Sequence, residues 1–252
     1  MSMLDGKPIL KLERPTPVFA TPLHRPVEIA PLGDSAAVVR FGDSIDRPTN
    51  LLVQTLSHFL SQHPLIGSVE FVPAYATVTV YYDPLRLSFE EVATELQQVV
   101  SKLEITTDDG PRTIEIPVCY GGEFGPDLEY VAEHNRLTPK EVIEIHSASV
   151  YLVYFIGFAP GFPYLGGLSD RITAPRRTSP RLRIPAGSVG IAGTQTGIYP
   201  LQTPGGWQIV GRTPLSLFRP NETPPTLLRA GDQVRFRPIA SMPEGWDRME
   251  TS

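Results

Sequence analysis

The chain is poor in cysteine and in long apolar runs, and both absences limit what it can be. Cys119 is the single cysteine among the 252 residues, so no disulfide bond can form within the chain. It stands in an apolar run, where a buried structural thiol is commoner than a nucleophile. No run approaches the roughly 18 apolar residues of a membrane span, and the first residues lack the pattern of a signal peptide. We therefore expect a cytoplasmic protein that is not inserted in a membrane.

Excess positive charge and the common ligand motifs are also missing. The 22 basic and 27 acidic side chains give a formal net charge of -5, which argues against a general nucleic-acid binder. The sequence has no Walker phosphate loop, no two-glycine dinucleotide turn and no paired Cys-x-x-Cys. His58 and His63 have no paired ligand spacing, so we expect no metal site.

The distribution of prolines and apolar residues predicts two domains and two tails. Residues 1–26 are rich in proline and have little hydrophobic period, which predicts an extended or disordered tail. Residues 27–108 alternate strand-like and helix-like segments, which predicts a small α+β domain resembling half of a ferredoxin-like fold. The polar, turn-rich segment 105–112 marks the boundary. Short strands and two small helices over 109–240 predict a β-barrel-type domain, and 241–252 form a second tail.

Local patterns predict the individual elements. In the first domain we expect two short strands within 27–41, a helix over 51–62, strands at 67–72 and 76–82, and a helix behind the capping box of Ser88 and Glu91. In the second we expect helices at 128–136 and from 138 to about His146, and strands that include 112–119, 187–192, 207–210, 215–218 and 233–237.

The stretch 151–212 combines glycines and prolines with polar side chains. The glycines and prolines alone are explained by turns in a small barrel. The side chains between them favour a binding site: Arg176, Arg177, Arg181, Arg183, Gln195, Thr196, Tyr199, Gln208 and Arg212. Because a guanidinium presents a rigid fork of donors, this set predicts a carboxylate or phosphate ligand.

Four positions allow a more specific expectation, with two roles left open at His146. His146 closes a predicted helix, where it is either a cap stabilised by the helix dipole or a general acid–base group. Gln195 and Thr196 lie between two glycines, so we expect both side chains to be exposed beside backbone N–H groups that suit an anion. Asp232 follows Gly231 in a turn and is expected to be structural.

Three motifs carry a specific family resemblance: GFAPGFPYLGGL at 157–168, PAGSVGIAGTQTGIYP at 185–200 and PGGWQIVGRTP at 204–214. With these motifs, residues 27–240 resemble the family of the B subunit of bacterial ATP-dependent 5-oxoprolinase, also called KipI-type kinase inhibitors or allophanate hydrolase subunit 1. The resemblance implies a cyclophilin-like β-barrel in the C-terminal domain and a smaller α/β domain before it.

The resemblance also implies partners and chemistry. It implies a complex with an allophanate hydrolase subunit 2-like protein, the C subunit of the oxoprolinase, and with a third subunit. Together these convert 5-oxoproline to glutamate with ATP, which is bound by this chain or by the partner. Two other interpretations stay open: a binding protein that inhibits a sensor histidine kinase through aromatics such as Phe158, Phe162 or Tyr164, and a carboxyltransferase-type subunit acting with biotin.

Residue chemistry at the motif positions supplies a candidate site. The residues expected to bind a carboxylate or phosphate are Arg176, Arg181, Tyr199 and Arg212. Gln195 and Thr196 are expected to orient the carbonyl or phosphoryl group, and His146 to assist proton movement.

Overall fold

The computed structural model describes residues 27–65, 67–103, 112–244 and Trp246. Contacts divide these residues into two compact units, one ending at residue 103 and one beginning at residue 112. The expected N-terminal tail, almost all of the expected boundary segment and the end of the expected C-terminal tail lie outside the described residues.

The first unit is an antiparallel sheet with two helices on one face. Its strands are β1 (Glu28–Pro31), β2 (Ala36–Arg40), β3 (Ser68–Pro73) and β4 (Thr77–Tyr82), in the order β1-β2-β4-β3, and its helices are α1 (Arg47–Gln62) and α2 (Phe89–Ser101). Val78 and Val80 on β4 are at most 1% exposed because this face packs against Leu56 of α1 and Leu96 of α2. The alternating pattern of β4 thus determines which face is covered.

Capping residues define where both helices begin. The α1 helix starts at Arg47, earlier than the expected residue 51, because the Asp46 carboxylate accepts a hydrogen bond from the Thr49 N–H (2.8 Å) and Pro48 fits the first turn. At α2 the Ser88 hydroxyl and the Glu91 carboxylate form the predicted capping box.

The second unit contains a closed barrel. Its strands are β5 (Thr113–Tyr120), β6 (Tyr151–Ile156), β7 (Pro163–Gly166), β9 (Ser188–Ala192), β10 (Gln195–Ile198), β12 (Gln208–Arg212) and β13 (Gln233–Pro238), and β8 (Arg181–Ile184) pairs with β11 (Thr203–Gly205) as a separate ribbon. The barrel order is β10-β7-β6-β13-β5-β12-β9, with β13 parallel to β5. Two helices, α3 (Leu128–His134) and α4 (Pro139–Ala148), complete it. The α+β class with a C-terminal barrel is confirmed.

One expected strand is wrong. Residues 215–218 form no ladder; they contribute one isolated bridge, between Phe218 and Thr226. Pro214, Pro220 and the prolines at 224–225 surround this segment, and a proline has no N–H to donate to a neighbouring strand.

Two structural expectations are confirmed. Cys119 is 8% exposed, and its burial raises the pKa of the thiol. Asp232 accepts a hydrogen bond from Arg112 Nε at 2.8 Å, pairs with the rest of that guanidinium, and accepts the Arg229 N–H at 2.9 Å. This carboxylate therefore joins the start of β5 to the turn before β13.

Candidate functional site

Strand alternation in β10 separates two residues that the sequence predicts to act together. Thr196 is fully buried and points into the barrel, whereas Gly197 lies on the outer side, against Phe162 and Trp207. Gln195 shares the outer side, because neighbouring side chains on a strand face opposite ways. The expectation that both side chains are exposed is therefore wrong for Thr196.

His146 lies inside the barrel in a chain of hydrogen bonds. Its Nε2 is 3.0 Å from Thr196 Oγ1, and the Thr196 hydroxyl lies 2.9 Å from the Gly190 carbonyl, to which it donates. Since the hydroxyl proton is directed at that carbonyl, the hydroxyl oxygen accepts from Nε2–H. Nδ1 then accepts from the Tyr120 hydroxyl at 2.7 Å. The network fits one neutral tautomer with every partner satisfied.

The protein environment keeps this imidazole neutral. His146 is fully buried, which lowers its pKa from 6.5 to about 3. Its ring stacks on Phe236 with centroids 4.5 Å apart, and its backbone carbonyl accepts the Tyr151 hydroxyl at 2.8 Å. The geometry gives His146 a structural role in the interior and does not match a charged helix cap. Its part in proton movement stays a prediction.

Asp127, just before α3, binds two arginines that the sequence placed in a ligand site. Its carboxylate accepts two hydrogen bonds from Arg181, both at 2.7 Å, and one from Arg177 at 3.1 Å. The Ile209 N–H donates to it at 2.7 Å, and Asp127 is 5% exposed. The charge of Arg181 is therefore compensated within the protein. Sequence reasoning missed this group because the two arginines lie 50 and 54 residues from Asp127, with no local pattern between them.

An aromatic cluster covers the outer face of β7 and β10. We call it the outer aromatic cluster; its members are Phe155, Phe158, Phe162, Tyr164, Tyr199 and Trp207. Phe162 is its centre, with ring centroids 5.1 to 5.6 Å from those of Phe158, Tyr164, Tyr199 and Trp207. Most of these contacts are edge-on, the arrangement that aromatic quadrupoles favour.

Arg176 adds positive charge beside this cluster. Burial raises the pKa of Tyr199 to about 12 and also raises that of Tyr164, while the Arg176 charge partly offsets both increases. Arg176 is exposed, and none of the ion pairs found among the described residues involves it. An uncompensated guanidinium near two protonated tyrosine hydroxyls is suited to an anion.

Arg212 is held elsewhere in the barrel unit. Its Nε donates to the Ala186 carbonyl at 2.7 Å, and its guanidinium lies 4.5 Å from the centroid of the Trp246 ring. The structure therefore distributes the expected residues over four places, one of which is the pairing of Arg181 with Asp127. His146 and Thr196 lie in the barrel interior, Arg176, Tyr199 and Gln195 lie on the side of the outer aromatic cluster, and Arg212 lies at the end of β12. Of these places, the side of the outer aromatic cluster combines an exposed cation with hydroxyl donors.

A clustered set of metal ligands and a membrane-spanning helix are both absent from the part of the chain that the structure describes. No group of three or more His, Cys, Asp or Glu side chains is placed there to hold a metal ion. No described helix is both long and apolar enough to cross a membrane.

Comparison with protein families and curated proteins gives consistent matches. The model of the carboxyltransferase domain, subdomains C and D, matches residues 27–228. The 5-oxoprolinase B subunit of Bacillus subtilis (strain 168) is 52% identical over 219 residues, covering 83% of this chain and 91% of that protein. The protein of the same name from Escherichia coli O157:H7 is 45% identical over 208 residues, covering 82% of this chain and 94% of that protein.

Solved structures include longer proteins with a matching region. The crystal structure of TTHA0988 is 37% identical, with a TM-score of 0.73 over 82% of this chain, which corresponds to 40% of that chain. The crystal structure of the urea amidolyase of K. lactis has the same TM-score at 22% identity; 87% of this chain matches 15% of that one. The second likeness concerns the fold alone.

Proposed function

Because the chain belongs to the carboxyltransferase-domain family that includes the 5-oxoprolinase B subunits, we propose that it is a subunit of an ATP-dependent 5-oxoprolinase. This enzyme opens the lactam of 5-oxoproline to give glutamate. The observation that carries the proposal is the 52% identity to a 5-oxoprolinase B subunit over 83% of this chain and 91% of that relative. Similarity over most of both proteins supports a shared role.

The outer aromatic cluster provides groups that fit 5-oxoproline. The substrate has one carboxylate and one planar lactam. Arg176 supplies the countercharge for the carboxylate. Tyr164 and Tyr199 keep their protons at neutral pH because burial raises the pKa of both. Tyr164 is half-buried and its hydroxyl can donate to an anion or a carbonyl, whereas Tyr199 is 2% exposed and packs within the outer aromatic cluster. Gln195, on the same side of β10, adds an amide.

The chemistry explains why ATP is required. A lactam is resonance-stabilised, and phosphorylation of its carbonyl oxygen by ATP, with release of ADP, makes the carbonyl carbon more electrophilic. Water then adds to that carbon, the C–N bond breaks with the ring nitrogen leaving as the protonated amine, and the resulting acyl phosphate is hydrolysed to glutamate and phosphate. The transfer from ATP needs neutralisation of charge around the phosphoryl group. Since the sequence has no Walker loop, we propose that the ATP site is completed by an allophanate hydrolase subunit 2-like partner and a third subunit. The chain is then active only within the complex.

The test uses the reconstituted complex of all three subunits. We expect glutamate release from 5-oxoproline that depends on ATP. Arg176→Ala should reduce kcat/KM about 100-fold, because a charged hydrogen bond to substrate is worth about 2–3 kcal/mol. Arg235→Ala, which removes an exposed arginine on β13, is the matched control and should keep wild-type kinetics. A wild-type complex that releases no glutamate would refute the proposed function, and an unaffected Arg176→Ala would remove Arg176 from the site.

A second candidate is favoured by the description of the matching family model as a carboxyltransferase domain. This interpretation predicts that activity depends on a biotinylated carrier and is lost when avidin is added. Turnover of 5-oxoproline that avidin does not change supports the oxoprolinase, whereas an avidin-sensitive carboxyl transfer supports the second candidate.

A further inference from the structure

Phe158 exposes a large apolar side chain from an unfavourable backbone conformation. Its φ is +67°, and 63% of the residue is exposed. Among the described residues other than glycine, Arg136 and Phe158 are the two that have a positive φ. The left-handed region is disfavoured for residues with a Cβ, and bulky residues are rare there. Such strain persists where the surroundings impose it, and it often marks a functional position.

Hydrogen bonds and packing fix the turn that carries Phe158. The Gly157 N–H donates to the Phe162 carbonyl at 3.1 Å, and the Phe162 N–H donates to the Ala159 carbonyl at 3.0 Å. Gly161 has a φ of +82°, and a Cβ there would lie 3.2 Å from Phe218 Cβ. The turn is therefore closed at its base and pressed against the segment after β12, so the Phe158 ring is presented from a rigid support.

The residues around the Phe158 ring indicate which kind of partner surface is complementary to it. On one side are the edges of Phe162 and Tyr199, with centroids 5.4 and 6.5 Å away. The uncompensated charge on this side of the barrel is positive and belongs to Arg176. The charge of Arg219, next to Phe218, is paired with Glu222 at 2.7 Å. An apolar projection with a cationic border is complementary to an apolar pocket bordered by carboxylates.

We propose that Phe158 and its turn anchor a docking surface for a protein partner that offers such an acid-bordered apolar pocket. The inference rests on the proposed function, within which this partner is the allophanate hydrolase subunit 2-like protein. In TTHA0988 the region that matches this chain makes up 40% of the chain, so a relative of this fold is joined there to a longer further stretch of polypeptide. A rigid aromatic side chain that enters a pocket is the usual centre of a binding interface.

Two variants test the proposal without disturbing the turn. Phe158→Gly and Phe158→Asn place residues that tolerate positive φ, so both should melt at or above the wild-type temperature. Each should weaken the Kd for the purified subunit 2-like partner by about 30-fold or more, measured by isothermal titration calorimetry. Tyr130→Ala, which removes a 43% exposed aromatic from α3, is the matched control and should bind within about 3-fold of wild type.

Each outcome of the experiment decides the proposal. Folded Phe158 variants that bind like the wild type would overturn it, and so would variants that lose their fold, because the ring would then be needed for stability. A wild-type chain that binds a sensor histidine kinase and not the subunit 2-like partner would also overturn it. If the wild-type subunits assemble and release glutamate while the Phe158 variants bind normally, the docking surface is wrong and the proposed function stands.

Discussion

At the scale of single residues, His146 shows how burial decides chemistry. The sequence places a histidine at the end of a helix, which is compatible with a charged cap or with acid–base catalysis. The fold buries it completely between Tyr120 and Thr196, and its pKa falls to about 3. The imidazole therefore stays neutral at every pH at which the protein is expected to work.

This burial predicts a pH dependence of stability. The unfolded chain binds a proton near pH 6.5, whereas the native state binds it only near pH 3. The contribution of His146 to the free energy of unfolding is therefore fully present above pH 6.5 and decreases as the pH is lowered toward 3. Between pH 7 and 5 the free energy of unfolding should decrease by about 2 kcal/mol through His146. His146→Gln should remove that part of the decrease in urea titrations.

The control for His146 is another histidine of the same unit. His134→Gln changes an exposed side chain at the end of α3 and should keep the wild-type difference between pH 7 and 5. If His146→Gln shows the same difference as the wild type, the imidazole is not held neutral in the native state.

At the scale of elements, Asp127 joins parts of the barrel unit that are far apart in sequence. It precedes α3, accepts the Ile209 N–H of β12, and pairs with Arg181 at the start of β8. The buried carboxylate supplies the negative charge that the two arginines contact. Removing that charge therefore leaves their N–H donors without an anionic acceptor.

Asp127→Asn should lower the free energy of unfolding by about 2 kcal/mol, measured by urea denaturation. The loss is smaller than for a fully buried ion pair because the Arg181 and Arg177 side chains are 25% and 35% exposed. Glu129→Gln changes an exposed acid in the first turn of α3 and should shift the value by less than about 0.5 kcal/mol. Equal stability of the two variants would show that Asp127 does not hold these elements together.

At the scale of the whole molecule, the candidate site lies on the outer side of the barrel wall. Among the described residues, this site has no enclosed set of catalytic groups. Arg176 and Tyr164 can bind an anion, but no phosphate loop exists in the sequence. We expect that the isolated chain releases no glutamate from 5-oxoproline with ATP, and that activity appears when the two other subunits are added. A coupled assay of glutamate release measures this directly. Full turnover by the isolated chain would contradict it.

The sequence by itself determined the elements whose signals are local. The capping box of Ser88 and Glu91 satisfies backbone donors three residues apart, so it predicted the start of α2 without knowledge of the fold. The glycine-rich motifs predicted the barrel unit and the family. The prediction of a strand at 215–218 was wrong because the sequence shows that this segment is apolar but does not show that it lacks a neighbouring strand to pair with.

Tertiary structure alone decided which predicted site residues meet. Gln195 and Thr196 are adjacent in sequence, yet the pleat of β10 sends one to each side of the barrel wall. Arg181 and Arg176 look equivalent in the sequence, but Asp127 compensates the charge of the first and not of the second. Charge compensation and burial depend on groups brought together by the closed sheet, and no spacing along the chain records them.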